Sequence, residues 1–148
     1  MKDLKLKFKE KLKIPLEKEE TKKTSSVEVG DVAECLMNSA KSLHKLHLKI
    51  KGQGSYAAHN ALNGYDKFHE FADDLIEGFQ GASETIVNIP SESEKVLNTV
   101  QDAISHLQYV KDEVTELQSK LKYSEIINQL DMIKEHCNGM IYKLKFLA

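Results

Sequence analysis

The chain reads as an all-α protein, an antiparallel four-helix bundle preceded by a Lys-rich arm. Three observations predict this. Apolar residues recur at the 3.6-residue period through four long segments. Glycine and proline are scarce, seven and two in 148 residues, and they cluster between those segments. Hydrophobic residues make up 41% and charged residues 30%, the balance of a single domain that buries its own core at this length.

Residues 1–25 form the arm. Leu4, Leu6 and Phe8 alternate with lysines as far as Pro15, and the stretch then turns highly charged. Residues 1–23 hold nine Lys against five acids, while the remainder holds twelve Lys against eighteen acids. Two readings stand: a flexible or loosely docked arm, and a basic arm that touches nucleic acid or a partner. All 21 basic residues are lysine, so bidentate guanidinium recognition is unavailable and any DNA contact is expected to be non-specific.

Residues 26–148 carry the bundle. The first helix is predicted from Ser26 to Lys51, with Val32, Leu36, Leu43, Leu46 and Ile50 on its apolar face. The second runs from Ser55, its expected N-cap, to Gln80 before Gly81, with a core stripe of Ala58, Leu62, Tyr65, Phe68, Ala72, Ile76 and Phe79. A connector with Pro90 and the cap candidates Ser91 and Ser93 leads to a third helix bearing Leu97, Val100, Ile104, Leu107, Val114, Leu117 and Leu121. After Tyr123 and Ser124 the fourth carries Ile126, Leu130, Ile133, Cys137, Met140, Ile141 and Leu144. The eleven residues from Gly81 to Ser91 reach ~36 Å when extended, which permits both a lengthwise crossover and a simple up-down bundle.

No apolar run approaches the ~20 residues of a membrane span, and the N-terminus lacks the apolar stretch of a signal peptide. Cys35 and Cys137 have neither metal spacing nor a disulfide pattern, so buried reduced thiols and a cytoplasmic location are expected. No nucleophile–base set, phosphate loop or cysteine zinc pattern appears.

His47 and His59 stand twelve residues apart around Lys51-Gly52-Gln53-Gly54-Ser55, each six residues from Gln53. If that run is a tight link, the imidazoles lie at equal height on neighbouring helices, a candidate metal half-site. On a regular second helix His59, Asp66, Asp73 and Glu77 share one flank, with Asn63 and Glu70 at its edge. His59 and Asp73 are nevertheless ~21 Å apart along the axis, too far to share an ion within one chain. Asp73 and Glu77, four apart, can share one. A site that joins the histidines to these acids must therefore lie between two subunits about a two-fold axis. An intra-bundle di-iron site is excluded, because the third and fourth helices present Ile133, Cys137 and Met140 where ligands would be needed. Imidazole with carboxylate suits Fe(II), with Zn or Mn also possible.

The stretch LHKLHLKIKGQGSYAAHNALNGYDKFHEFADDLIEGFQG resembles the first two helices of the Dps-type miniferritins, and IINQLDMIKEHCNGMIYKLKFLA resembles their last. Small phage proteins with a Tyr…Asp-x-x-x-Glu…Gly pattern are more similar still, a pattern met by Tyr65, Asp73, Glu77 and Gly81. The resemblance implies a ferritin-like bundle with a crossover between its second and third helices. It implies a homo-oligomer through a two-fold interface of helices 1 and 2, and a ferroxidase that oxidises Fe(II) with peroxide or oxygen and stores the product. His47 and His59 would then be one subunit's ligands and Asp73 and Glu77 the other's, in a host cytoplasm or a virion.

This sequence departs from the pattern at three places. Leu48 replaces an aromatic, and Asn63 replaces an acidic residue one turn after His59. In strict register the acidic pair would fall on Asp74 and Gly78, one residue beyond Asp73 and Glu77. A one-residue slip turns a helical side chain by ~100°, so the resemblance implies either a local bulge in the second helix or an altered site. Asp66 and Asp74 complete the candidate ligands. The alternative is a non-enzymatic structural or DNA- or virion-associated protein of the same fold that has lost the chemistry. A third reading is a plain helical module with the third-helix stripe as its partner seam.

Overall fold

The computed structural model describes residues 27–148, so the predicted arm and its nucleic-acid contact lie outside the described residues. Helix α1 spans Val29–Lys49, α2 Ser55–Leu62, α3 Lys67–Ser83, α4 Val100–Gln118 and α5 Ser124–Tyr142. A 3₁₀ turn, Asn63–Asp66, joins α2 to α3, and a π-helical turn, Lys143–Leu147, closes the chain. Because α2, the turn and α3 make one broken rod, the described residues form an all-helical four-rod bundle.

Local chemistry sets the boundaries. The α1–α2 link holds Gly52 at φ 106° and Gly54 at φ 84°, left-handed backbone that side chains resist. Gly54, not Ser55, is the cap of α2, and the Ser55 hydroxyl donates instead to the Lys51 carbonyl at 2.7 Å. Helix α4 is capped by Thr99, beyond both Ser91 and Ser93. Thr99 Oγ1 accepts from the Asp102 N–H at 3.0 Å, and Asp102 Oδ2 accepts from the Thr99 N–H at 3.1 Å. Leu97 therefore belongs to the connector, where it is buried all the same. At the other boundary α3 runs past Gly81 to Ser83 and ends on Glu84, left-handed at φ 57°.

The connector, Glu84–Thr99, settles the topology that length alone left open. It climbs α1 from end to end. Ser42 Oγ donates to the Lys95 carbonyl at 2.6 Å, Lys45 Nζ meets Glu94 at 2.7 Å, and Lys49 Nζ donates to Asn98 Oδ1 at 3.1 Å. Helix α4 thus begins beside the C-terminal end of α1 and returns antiparallel to it, with Ser39 against His106 and the Lys120 ammonium on the Val27 carbonyl. Helix α5 runs back along α4, from Gln118 against Ile127. It also lies antiparallel to α3, with His136 on Gly64 and Phe79 against Tyr123. The order is up-down-down-up, and every adjacent pair is antiparallel.

Leu36, Leu43, Leu46, Leu62, Phe68, Leu75, Leu107, Leu130 and Ile133 form the fully buried centre. The second rod departs from its predicted stripe past the 3₁₀ turn. Phe71 and Leu75 are buried, while Tyr65, Ile76 and Phe79 are only half-buried. Cys35 and Cys137 are free and buried, and burial pushes their thiols up to about 11 and about 12. Among the described residues no helix is long and apolar enough to cross a membrane.

Candidate metal half-site

An α-helix leaves its last four carbonyls without intrahelical donors. His47 lies in the last turn of α1, so its carbonyl is one of these, and His59 Nδ1 donates to it at 2.9 Å. The carbonyl of His59 is freed by a different route. On a regular helix the Asn63 N–H would bond it. In the 3₁₀ turn that N–H goes to the Ala61 and Asn60 carbonyls instead, and His47 Nδ1 donates to His59 at 2.8 Å. The two rings stack with centroids 3.8 Å apart and planes 18° from parallel.

Carbonyls only accept, so both Nδ1 atoms carry hydrogen, and Nε2 is the nitrogen of each ring left for a ligand. His47 is buried and His59 half-buried. The tertiary structure thus brings together the equal-height pair that the spacing predicted, and it also fixes both tautomers.

Two neighbours escaped sequence reasoning. His44 stacks on Tyr65 with centroids 4.1 Å apart and planes 5° from parallel. Its ring lies 6.3 Å from that of His47, and the Tyr65 ring lies 5.6 Å from it. The i,i+3 spacing in LHKLH places His44 and His47 one turn apart and was the available signal. Tyr65 packs half-buried against the core, as its stripe predicts, and offers one ring face to this edge.

Asp66, Asp73, Asp74 and Glu77 are all exposed. The single flank drawn for His59, Asp66, Asp73 and Glu77 on a regular helix is not kept. Four 3₁₀ residues advance by ~480° rather than ~400°, which turns Asp73 and Glu77 by ~80° relative to His59. Gly78 leans on α5: a Cβ built there would lie 3.1 Å from Ile126 Cδ1. The Asp74/Gly78 register therefore points its second position into the bundle. Among the described residues no three His, Cys, Asp or Glu side chains of one chain gather to hold a metal ion. The histidine pair and the acids do not meet within one chain.

His136 and His106 serve the bundle, while His69 is exposed on α3. His136 Nε2 donates to the Gly64 carbonyl at 2.8 Å and edges against Phe68 and Phe71. The Ser39 hydroxyl donates to the Cys35 carbonyl at 2.6 Å and accepts from His106 Nε2 at 2.8 Å. His106 Nδ1 is buried without a partner, and burial, with the Lys95 ammonium adding to it, pushes this imidazole down to about 4. A cleft of about 600 Å³ between the 3₁₀ turn and α5, lined by Gly64, Phe71, His136 and Met140, includes none of the predicted ligands.

Residues 47–144, from His47 to the π-helical turn, match one protein family. The chain belongs to this family of unknown function (DUF5856). The DUF5856 match takes in His59, Tyr65 and the acids of α3, and it leaves out His44 and most of α1. No curated protein and no solved structure matches the chain.

Proposed function

We propose that this DUF5856 chain is a ferritin-like iron protein that binds Fe(II) as substrate between two subunits and oxidises it with peroxide or oxygen. The His47–His59 pair carries the reading. Each ring commits Nδ1–H to a backbone carbonyl, as metal-ligating histidines do, and holds Nε2 for a cation.

Two features add support. The 3₁₀ turn spans ~8 Å where four α-helical residues span ~6 Å, and it adds ~80° of rotation. Both surpluses come close to one helical residue. Asp73 and Glu77 then take roughly the height and azimuth that Asp74 and Gly78 would hold on a regular helix, which offsets the register difference from the miniferritin pattern. The up-down-down-up order with a lengthwise connector is also what a ferritin-like bundle requires.

In this reading His47 and His59 meet the partner's Asp73 and the partner's Glu77 across a two-fold axis. Each of two Fe(II) ions gives one electron to a peroxide, which takes up two protons and leaves as two waters. Zn and Mn compete for the same N/O ligands. A second reading, the same scaffold without chemistry, draws on Asn63, exposed in the 3₁₀ turn where the resemblance expects a carboxylate.

Anaerobic Fe(II) titration followed by peroxide, with light scattering for mass, separates the two. Stoichiometric binding and fast oxidation by a dimer or larger assembly, both lost in His59→Ala at unchanged mass, are expected. Oxidation no faster than that of iron in buffer, by an assembly indifferent to His59→Ala, would leave the scaffold reading.

A further inference from the structure

We propose that His44, stacked on Tyr65, is the surface residue that first takes a metal cation and passes it to the His47–His59 pair. The inference rests on the metal reading of that pair. His44 is exposed on α1, while His47, one turn on, is buried, so a cation arriving from solvent meets His44 first. The rings stand 6.3 Å apart and 45° from parallel, which puts a cation held by one within a side-chain rotation of the other.

The bonding of the imidazoles differs in the same sense. His47, His59, His106 and His136 each have a ring nitrogen tied to a carbonyl or hydroxyl. Among the described residues no hydrogen bond occupies either nitrogen of His44 or of His69, and of these two only His44 stacks on a ring beside the pair. A single imidazole holds a divalent cation weakly, as a transfer step needs, because release must outrun dissociation from the assembled site. Tyr65 supplies the orientation. Its face, 4.1 Å from His44 and nearly parallel to it, confines the ring without using either nitrogen. Tyr65 is a positioning residue in this scheme.

The test is stopped-flow anaerobic Fe(II) loading of the full chain, paired with equilibrium stoichiometry by ferrozine assay. His44→Ala and His44→Gln should keep the wild-type stoichiometry and load about tenfold more slowly, the low end of what disturbing a ligand's surroundings costs. Tyr65→Ala should load as slowly as His44→Ala, and Tyr65→Phe, which keeps the ring face, should recover most of the rate. Loading of both His44 variants at the wild-type rate overturns the proposal. So does loss of bound iron in them, which would make His44 a resident ligand. A wild-type chain that takes up no Fe(II) overturns the metal reading itself, an outcome visible before any variant is compared.

Discussion

His47 and His59 donate Nδ1–H to one another's backbone carbonyls, at 2.8 and 2.9 Å, across the α1–α2 hairpin. Each ring satisfies a carbonyl that the other's helix leaves unpaired, one because α1 ends and one because α2 tightens into a 3₁₀ turn. The same two bonds close the hairpin and set both tautomers for a ligand. Stability and the proposed chemistry are therefore coupled at this pair.

Removing either ring orphans a carbonyl. His47→Ala and His59→Ala should each lower unfolding free energy by about 1–3 kcal/mol in urea titrations. The double variant should lose less than the sum by about 0.5 kcal/mol or more, because the stacking contact is lost only once. Strict additivity would mean that the rings do not stack in solution.

A site shared between subunits can be rebuilt from two broken ones. His59→Ala and Asp73→Asn should each abolish Fe(II) oxidation alone. Unfolded together and reassembled, mixed dimers should recover about half of the wild-type activity per dimer, since one of their two sites keeps every ligand. No recovery, with mixed dimers verified by mass spectrometry, would place the histidines and acids in unrelated sites.

The 3₁₀ turn presses on α5 through Gly64, where a Cβ would lie 2.5 Å from Met140 Sδ. Gly64→Ala should cost about 1–3 kcal/mol, the usual range for overpacking. Gly64→Ala with Met140→Ala should cost less than the two changes added together, because the truncated side chain makes room for the new methyl. A neutral Gly64→Ala in chemical denaturation would show that the flexible Met140 side chain gives way to the new methyl.

His106 gives the fold a pH dependence. Its folded value, about 4, lies below the ordinary 6.5, so the unfolded chain binds more protons between those limits. The stability from the neutral ring is whole above about pH 6.5 and is lost as pH falls toward 4, a span worth about 3 kcal/mol at ~1.4 kcal/mol per unit. Urea midpoints at pH 7 and pH 4.5 should differ less in His106→Gln than in wild type. Equal differences would assign the acid sensitivity to other groups.

The helices were legible where periodicity is strong and turn chemistry unambiguous. Gly52 and Gly54 marked the hairpin, and the equal spacing of His47 and His59 about Gln53 predicted their meeting. The start of α4 was missed because Ser91 and Ser93 resemble caps as well as Thr99 does; only the reciprocal bonds of Asp102 choose among them. The stripe through His59, Asp73 and Glu77 failed for a related reason. Asn63-Gly64 reads as two tolerable residues in a long helix, and nothing local says that the helix tightens there.

Fold class, the number of rods and the histidine pair followed from the sequence alone, because hydrophobic period and chain length are local quantities. Tertiary contacts decided the rest. The connector's path depends on Ser42, Lys45 and Lys49 meeting residues about fifty positions away. The 3₁₀ turn depends on a glycine fitting under Met140 and on His47 reaching the His59 carbonyl. A one-residue change of register is invisible to a 3.6-residue period, yet it determines on which face of the rod each carboxylate lies. Only packing between helices selects it.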